Sequence, residues 1–300
     1  MWMYLGLLAA LFLGLHNLCK KHAVRNNEVY GVLLGTITAG FLVLLPLYLG
    51  SRWFPSYFKE ANLFVYQISL QTHLLIVIKA LIMATSWVLA YQALKHLPIT
   101  IVTPIRSAGP FFTFLGAMLI YQERPNPYQW IGFFIIILSV FLYSQIGKKE
   151  GIIFKSNKWI YAIIAATFLG ASSGLYDKYL VQTVNLNPPT LQFWFCTYTM
   201  LIVGLIVLIK YRSTLGEKLQ FDWRWSIPLV GVLLQFADYF YFKALQDPEA
   251  LIMLLSAIKR SQLLIAVLLG GVLFKEQNKR KKLVPLFGIL LGVFLILYSG

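Results

Sequence analysis

A chain of 300 residues that is 59% hydrophobic and 12% charged, with a mean hydropathy of +0.71, is not an ordinary soluble domain, where about a quarter of the residues carry charge. With 22 Phe, 17 Tyr and 8 Trp against 11 acidic residues it is too apolar for disorder, and its apolar runs are too continuous for the roughly ten-residue alternating strands of a membrane barrel. Helices must cross the bilayer, and at about 20 residues per span the length holds roughly ten of them and almost nothing else.

The apolar stretches fall at about 2–19, 29–49, 73–94, 98–121, 127–146, 159–179, 189–210, 226–246, 250–274 and 284–299. Prolines support two close divisions, at Lys95-His96-Leu97 and at Gln246-Asp247-Pro248-Glu249. Residues 1–19 have no leading positive charge and precede Lys20, Lys21 and Arg25, the reverse of a secretory signal, so no cleavage is expected. The loops after odd-numbered spans hold 17 Lys and Arg, against about five on the other side: Arg52, Lys59, Arg124, Lys178 and Lys243. The excess marks the odd loops as cytoplasmic and places both termini outside. The net charge of +15 is thus sorted by loop, and no nucleic-acid partner is expected. Cys19 and Cys196 form no paired motif, and His16, His22, His73 and His96 have no ligand spacing, so neither a metal nor a cofactor is expected.

The chain repeats itself near its midpoint. Ala9 to Gly14 matches Ala165 to Gly170, each followed by a lysine, Lys21 and Lys178. Ala93-Leu94 matches Ala244-Leu245, Tyr143-Ser144 matches Tyr298-Ser299, and Arg106 and Glu123 lie 17 apart, as do Lys259 and Glu276. The offset drifts only from 151 to 157, which divides the chain into units of five spans at 1–150 and 151–300. An odd number of spans inverts the second unit relative to the first, and inverted repeats place a site near mid-membrane between the halves.

Lys79, Arg106, Asp238, Lys259 and Arg260 are the charges that an unadorned bundle would omit. Each costs about 2.5 to 3.5 kcal/mol at mid-helix. At about 1.5 Å per residue, Arg106 lies roughly 12 Å from one face and Lys259 roughly 14 Å from the other, which brings them to nearly one level. Ser256, Lys259 and Arg260 share a helical face, as do Thr103, Arg106 and Ser107, and Gln235, Asp238 and Tyr239. Four cations against one carboxylate leave an excess of about +3 in low dielectric, a setting for an anionic solute, phosphorylated or carboxylated. Pro104 and Pro110 flank Arg106 and are expected to kink span four. His16, Asn17, Trp87, Tyr91, Ser173 and Tyr176 are further candidates for the cavity wall. Plainer roles compete with these: snorkelling for Lys79, an ion pair or proton coupling for Asp238, packing for His16 and Trp87, loop salt bridges for Glu123 and Glu276. Gly288 and Gly292 form a close helix contact within the chain or in a homodimer.

Tyr91 to Pro98, the span through Gly116 to Tyr121-Gln122-Glu123-Arg124, and Gln129 to Gly132 resemble the EamA-type module of the drug/metabolite transporter superfamily; Phe242 to Leu245, Glu276 and Gly288 repeat it. The resemblance implies an all-α membrane protein of ten transmembrane helices in two inverted five-helix repeats, with a cavity lined by spans one, three, four, six, eight and nine. Ile258-Lys259-Arg260 is similar to the Lys-Arg pair of triose-phosphate translocators, which implies that Lys259 and Arg260 hold phosphate. Members of the family usually keep their termini in the cytoplasm, opposite to the charge count here. The expected function is a secondary carrier for a small organic anion by alternating access, in a bacterial inner membrane and in contact with its lipid. The alternatives are an exporter of amino acids or amphiphilic metabolites, a lipid-phosphate headgroup translocase and a non-transporting scaffold. No Walker loop or nucleophile motif points to an enzyme. A cysteine placed within residues 148–158 is expected to label only from the cytoplasmic side; labelling only from outside reverses the topology.

Overall fold

The computed structural model describes residues 1–25, 27–97, 102, 105–106, 108–145, 157–213, 221–265 and 279–298, and among them there is no strand. Helix α1 (Trp2–Val24) continues past its apolar run through Lys20 and Lys21. Helix α2 (Val29–Trp53) is capped by Glu28, whose carboxylate accepts the Gly31 N–H at 2.6 Å, an anion at the positive end of the helix. Helix α3 (Pro55–Glu60) was not expected from the apolar pattern. It opens with proline at its first position and exposes Phe54 and Tyr57 beside Trp53, the aromatic types that settle at a membrane–water interface.

Helix α4 (Leu70–His96) starts at the Ser69 cap and stops at extended Leu97, since the following Pro98 disfavours helical backbone before it. Helix α5 (Gly109–Tyr121) carries Pro110 in its first turn, where the missing N–H costs nothing. Ile105 and Arg106 are helical as well, Ala108 is a turn and helix resumes at Gly109, so the helical path of span four is interrupted beside Arg106; Thr103, Pro104 and Ser107 lie outside the described residues. Helices α6 (Pro127–Gln145) and α7 (Lys158–Lys178) follow, and α7 runs on into a π-helical turn at Tyr179–Thr183. Helices α8 (Pro188–Ser213), α9 (Ser226–Leu245) and α10 (Ile252–Ile258) come next. The chain then tightens into a 3-10 turn at Lys259–Ser261, and α11 (Lys279–Tyr298) closes the order.

Among the described residues five helices, α1, α2, α4, α7 with its π turn, and α8, are long and apolar enough to cross a membrane; α5, α6 and α11 contain shorter apolar helices. Large hydrophobic side chains such as Leu119, Leu205, Phe287 and Phe294 stand exposed, as a surface solvated by acyl chains requires. The chain is an integral, multi-pass membrane protein. Its connections gather by the parity of the spans they follow, α3 not being a span, so that α7, α8 and α9 are the sixth, seventh and eighth. At one end Asn27 bonds to Asp222 and Arg224 donates to the carbonyls of His22 and Arg25, joining the loops after α1 and α8. At the other, Asn187 donates to the Phe64 carbonyl and Gln182 to those of Leu245 and Asp247, joining the loops after α2, α7 and α9.

Helix α1 packs on α9 and α4 on α7; α2 and α8 pack on one another, with α2 also against α9 and α8 against α4. Helix α10 lies between α5 and α1, and α6 pairs with α11. That last pair rests on small residues. A Cβ on Gly132 or on Gly292 would stand 2.6 Å from the other's carbonyl oxygen, and Gly288 faces Ser139. The Gly288/Gly292 face is thus taken up within the chain, and a homodimer through this helix would have to use another side. Gly292→Leu is expected to separate α6 from α11 and lower the thermal midpoint in detergent by several degrees; an unchanged midpoint would show that the close approach contributes nothing.

Candidate functional site

Four helices carry charge into one region of the bundle. Lys79 comes from α4, Asp177 from the end of α7, Asp238 and Tyr241 from α9, and Lys259 and Arg260 from the 3-10 turn after α10. Lys79 is 2% exposed and forms an ion pair with Asp177, and its ammonium also lies over Phe195 at 4.2 Å and Phe242 at 5.4 Å. This corrects the expectation for Lys79: it neither snorkels nor stands open to a solute, being matched within the protein. The Tyr241 hydroxyl is within hydrogen-bond reach of the same Asp177.

Asp177 was missed in the sequence because it sits beside Lys178 at the expected end of span six, where an acid–base doublet reads as surface charge. The apolar run continues through Leu180 and Val181, both buried, and that continuation was the available signal. Counting Asp177, the four cations face two carboxylates, so the formal excess is +2 rather than +3. Lys178 is equally buried. It pairs with Glu123 at 2.7 Å and donates to the Ala250 carbonyl at 2.9 Å. Glu123 in turn accepts the N–H groups of Ile252 and Met253, so the loop bridge expected of it is a buried pair that caps α10. Glu276 lies outside the described residues.

Lys259 and Arg260 differ from the two matched lysines. The Lys259 ammonium lies 3.8 Å from the centre of the Tyr241 ring, and among the described residues it has neither a hydrogen bond nor an ion pair. Arg260 has no carboxylate partner among them, and its Nε is buried without a hydrogen bond. Its Nη2 is so close to Gly109 that a Cβ there would stand 3.2 Å away, which seats the guanidinium against the start of α5. Arg106 is exposed and near enough for its charge to act on Arg260. The 3-10 turn departs from the even α-helical face expected for Ser256, Lys259 and Arg260, and such tightening inside a helix often marks a hinge.

The remaining expected wall residues divide. His16 Nδ1 is 3.0 Å from the Val230 carbonyl and buried, a tie between α1 and α9. Tyr176 donates to the Leu75 carbonyl at 3.2 Å and stacks on Tyr179, a tie between α7 and α4. Gln235 accepts from Gln192 at 2.9 Å and donates to Cys196, so its amide is engaged with α8. Tyr239 is half-buried with its ring against Phe240. Asn17 donates to Gln262 at 2.9 Å, the residue directly after the 3-10 segment. Ser173 Oγ is buried and without a hydrogen bond. Trp87 and Asp238 line a cavity of about 20 Å³ with Thr36, Thr199 and Gln235. The side chain of Tyr91 lies outside the described residues. A larger cavity of about 580 Å³, lined by Gly31, Gly35, Ala39, Phe221, Trp223 and neighbours, includes none of the charged cluster.

A polytopic helical membrane protein with unmatched cations inside the bundle has the form of a solute transporter. The sequence pattern of the EamA-like transporter family matches residues 1–145 and again 157–298, and the chain belongs to that family of membrane transporters. An uncharacterized protein of Methanocaldococcus jannaschii is 27% identical over 140 residues, which are 47% of this chain and 93% of that protein. One solved crystal structure aligns with a TM-score of 0.73 over 99% of this chain and 97% of its own at 14% identity, a likeness of fold alone.

Replacing one member of the Lys79–Asp177 pair leaves the other charge buried and uncompensated, a loss of about 3 to 5 kcal/mol. Lys79→Met is therefore expected to destabilise strongly, and Lys79→Met with Asp177→Leu to recover most of the loss in detergent unfolding. A double variant no more stable than the single would mean that the pair is not the interaction that matters.

Proposed function

We propose that this transporter is a secondary carrier for a small organic anion, phosphorylated or carboxylated, and that Lys259, Arg260 and Arg106 hold it. One observation carries the reading. The buried lysines Lys79 and Lys178 each have a carboxylate, whereas Lys259 and Arg260 have none among the described residues, and Arg260 keeps an unbonded Nε. An arginine fork with an adjacent lysine suits an oxyanion, and a bound anion would supply the charge and the acceptor that the protein leaves out. Lys79 and Tyr176, engaged elsewhere, shape the site without contacting the solute.

Alternating access is supported by the packing. Exchanging the five helices that correspond to the first unit for those of the second turns the α1–α9 contact into α7–α4, α2–α9 into α8–α4, and α5–α7 into α10–α1, each of which is present. The α2–α8 and α6–α11 contacts map onto themselves. Two matches of one family pattern, and a relative almost wholly accounted for by 47% of this chain, favour the same division into units of five spans at 1–150 and 151–300, the second inverted. A site at the junction of two such units is exposed to either side as one rocks against the other.

A second reading, export of amino acids or other zwitterions, draws on Asp238, a carboxylate with no hydrogen bond or ion pair among the described residues. Proteoliposomes loaded with a panel of sugar phosphates, carboxylates, amino acids and nucleotide sugars separate the two. Uptake of an anion is expected to fall about 10- to 100-fold in Arg260→Ala and in Lys259→Ala, the loss of one charge-assisted hydrogen bond. Full transport by both variants would sink the clamp, uptake confined to amino acids would favour the zwitterion, and no uptake of any panel member would favour a scaffold.

A further inference from the structure

The lysines inside this bundle are met in two ways. Lys79 has the Phe195 and Phe242 rings and a carboxylate, Asp177; Lys178 has the Tyr121 ring at 5.2 Å and a carboxylate, Glu123. Lys259, among the described residues, has a ring and no carboxylate: its ammonium stands 3.8 Å from the centre of Tyr241, well inside the roughly 6 Å over which an aromatic face attracts a cation. The difference decides what is left over. A carboxylate cancels the charge and takes one or more of the three ammonium donors, whereas a ring face stabilises the charge without cancelling it and takes no directed hydrogen bond. The ring is itself fixed. Tyr241 is 4% exposed, its hydroxyl is within hydrogen-bond reach of Asp177, and its ring centre lies 5.4 Å from that of Phe242. On α7, Gly174 leaves room for the hydroxyl, since a Cβ there would stand 3.6 Å from it.

We infer that Tyr241 is a positioning residue for Lys259: its ring carries the ammonium, its hydroxyl is anchored at the Lys79–Asp177 pair, and the donors of Lys259 stay available to a solute. The charges around Lys259 show what the ring prevents. Asp238 and Asp177 attract the ammonium, while Arg260 and Lys79 repel it. Without the ring, the ammonium is drawn to a carboxylate and becomes matched as Lys79 is, and a solute must then break that match before it can bind. Tyr241 therefore acts through the lysine and needs no contact of its own with the solute. The contact between ring and ammonium stands on the packing of the bundle; its service to an anion rests on the reading above.

The test separates ring from hydroxyl. Tyr241→Phe keeps the ring and Tyr241→Leu removes it; Tyr241→Met, longer and more adaptable, serves should Tyr241→Leu fail to fold. Each is made in the wild-type chain and in Lys259→Met, and the thermal midpoint of the full chain is followed in detergent without any solute. The fall caused by Tyr241→Leu is expected to be smaller when Lys259 is already Met, because the ammonium contact is then gone, whereas the fall caused by Tyr241→Phe is expected to be the same in both backgrounds. Equal falls for Tyr241→Leu in the two backgrounds would overturn the contact. In proteoliposomes, Tyr241→Leu is expected to raise the half-saturating concentration of the anion preferred in the uptake panel about 5- to 30-fold, the worth of a desolvated cation–π contact, with the maximal rate little changed. Tyr241→Phe is expected to recover that affinity to within about twofold of the wild type, since the ring is kept. In Lys259→Ala, Tyr241→Leu is expected to add no further loss. A Tyr241→Phe variant as weak as Tyr241→Leu would overturn the role of the ring in favour of the hydroxyl, and a loss confined to the maximal rate would overturn positioning. Midpoint coupling in a protein that takes up no anion would retain the contact and refute the anion reading.

Discussion

A charge within a bilayer has no water to share its field, and the arrangement of this bundle depends on how each such charge is met. Two lysines are met by the protein. Lys79 on α4 and Asp177 on α7 join elements of the two stretches that match the family pattern, and Lys178 does the same with Glu123 at the end of α5. Replacement of such pairs by hydrophobic residues is often neutral or stabilising, so their contribution lies less in net stability than in position. Each pair excludes every relative placement of its helices in which one charge would be stranded. What rigidity the junction has therefore resides in α7, which carries both partners in succession, Asp177 and Lys178, immediately before its π-helical turn.

Helix α10 extends the same logic to the backbone. It is only seven residues long, and its first N–H groups, at buried Ile252 and Met253, would be unsatisfied without an acceptor. Glu123 accepts two of them, and Lys178 takes the Ala250 carbonyl that precedes the helix, so one ion pair closes both the charge and the hydrogen-bond account of the N-terminal end. At the other end, the 3-10 turn at Lys259–Ser261 places the two unmatched cations on backbone whose hydrogen bonding is already altered. A segment held firmly at its start and loosened beside its charges is suited to reorient them, with Gly109 of α5 leaving room for the Arg260 guanidinium.

Hydropathy made the helical elements legible, because run length and flanking charge are first-order effects of the membrane as solvent. Eight of the expected spans, all but the fourth and the ninth, have described helices that end within about five residues of the expected bounds, among them the stop before Pro98; the fourth and the ninth are helical where described but run partly outside the described residues. Helix α3 escaped because six residues at an interface have no apolar run to detect. The site was legible in its charges and not in their pairing. Lys79, Asp238, Lys259 and Arg260 stood out as residues in the wrong solvent, but a partner on another span leaves no trace in local spacing. Asp177 was hidden by its neighbour Lys178, and His16 and Tyr176 were drawn toward the cavity when in fact each binds a carbonyl on the next helix. Polarity on an apolar helix announces that a partner exists and says nothing of whether that partner is backbone, side chain or solute.

The contrast between matched and unmatched cations also bears on why the unmatched ones persist. An arginine with a buried, unbonded Nε is among the most expensive side chains a membrane protein can retain, and a leucine in its place would pack at lower cost. The cost is recovered only in a state where an acceptor reaches the guanidinium. If that acceptor were supplied by the protein in every conformation, Arg260 would be a third structural pair like Lys79 and Lys178, and the solute would gain nothing by entering. A carrier needs the reverse condition. Under the carrier reading proposed above, the solute would complete the site in the states that cross between the two faces and leave it incomplete otherwise, because a ligand shifts a conformational equilibrium only by the difference in its affinity for the two states. Incomplete electrostatics at Lys259 and Arg260, in the same bundle as fully matched pairs on other helices, is the arrangement in which that difference can be large.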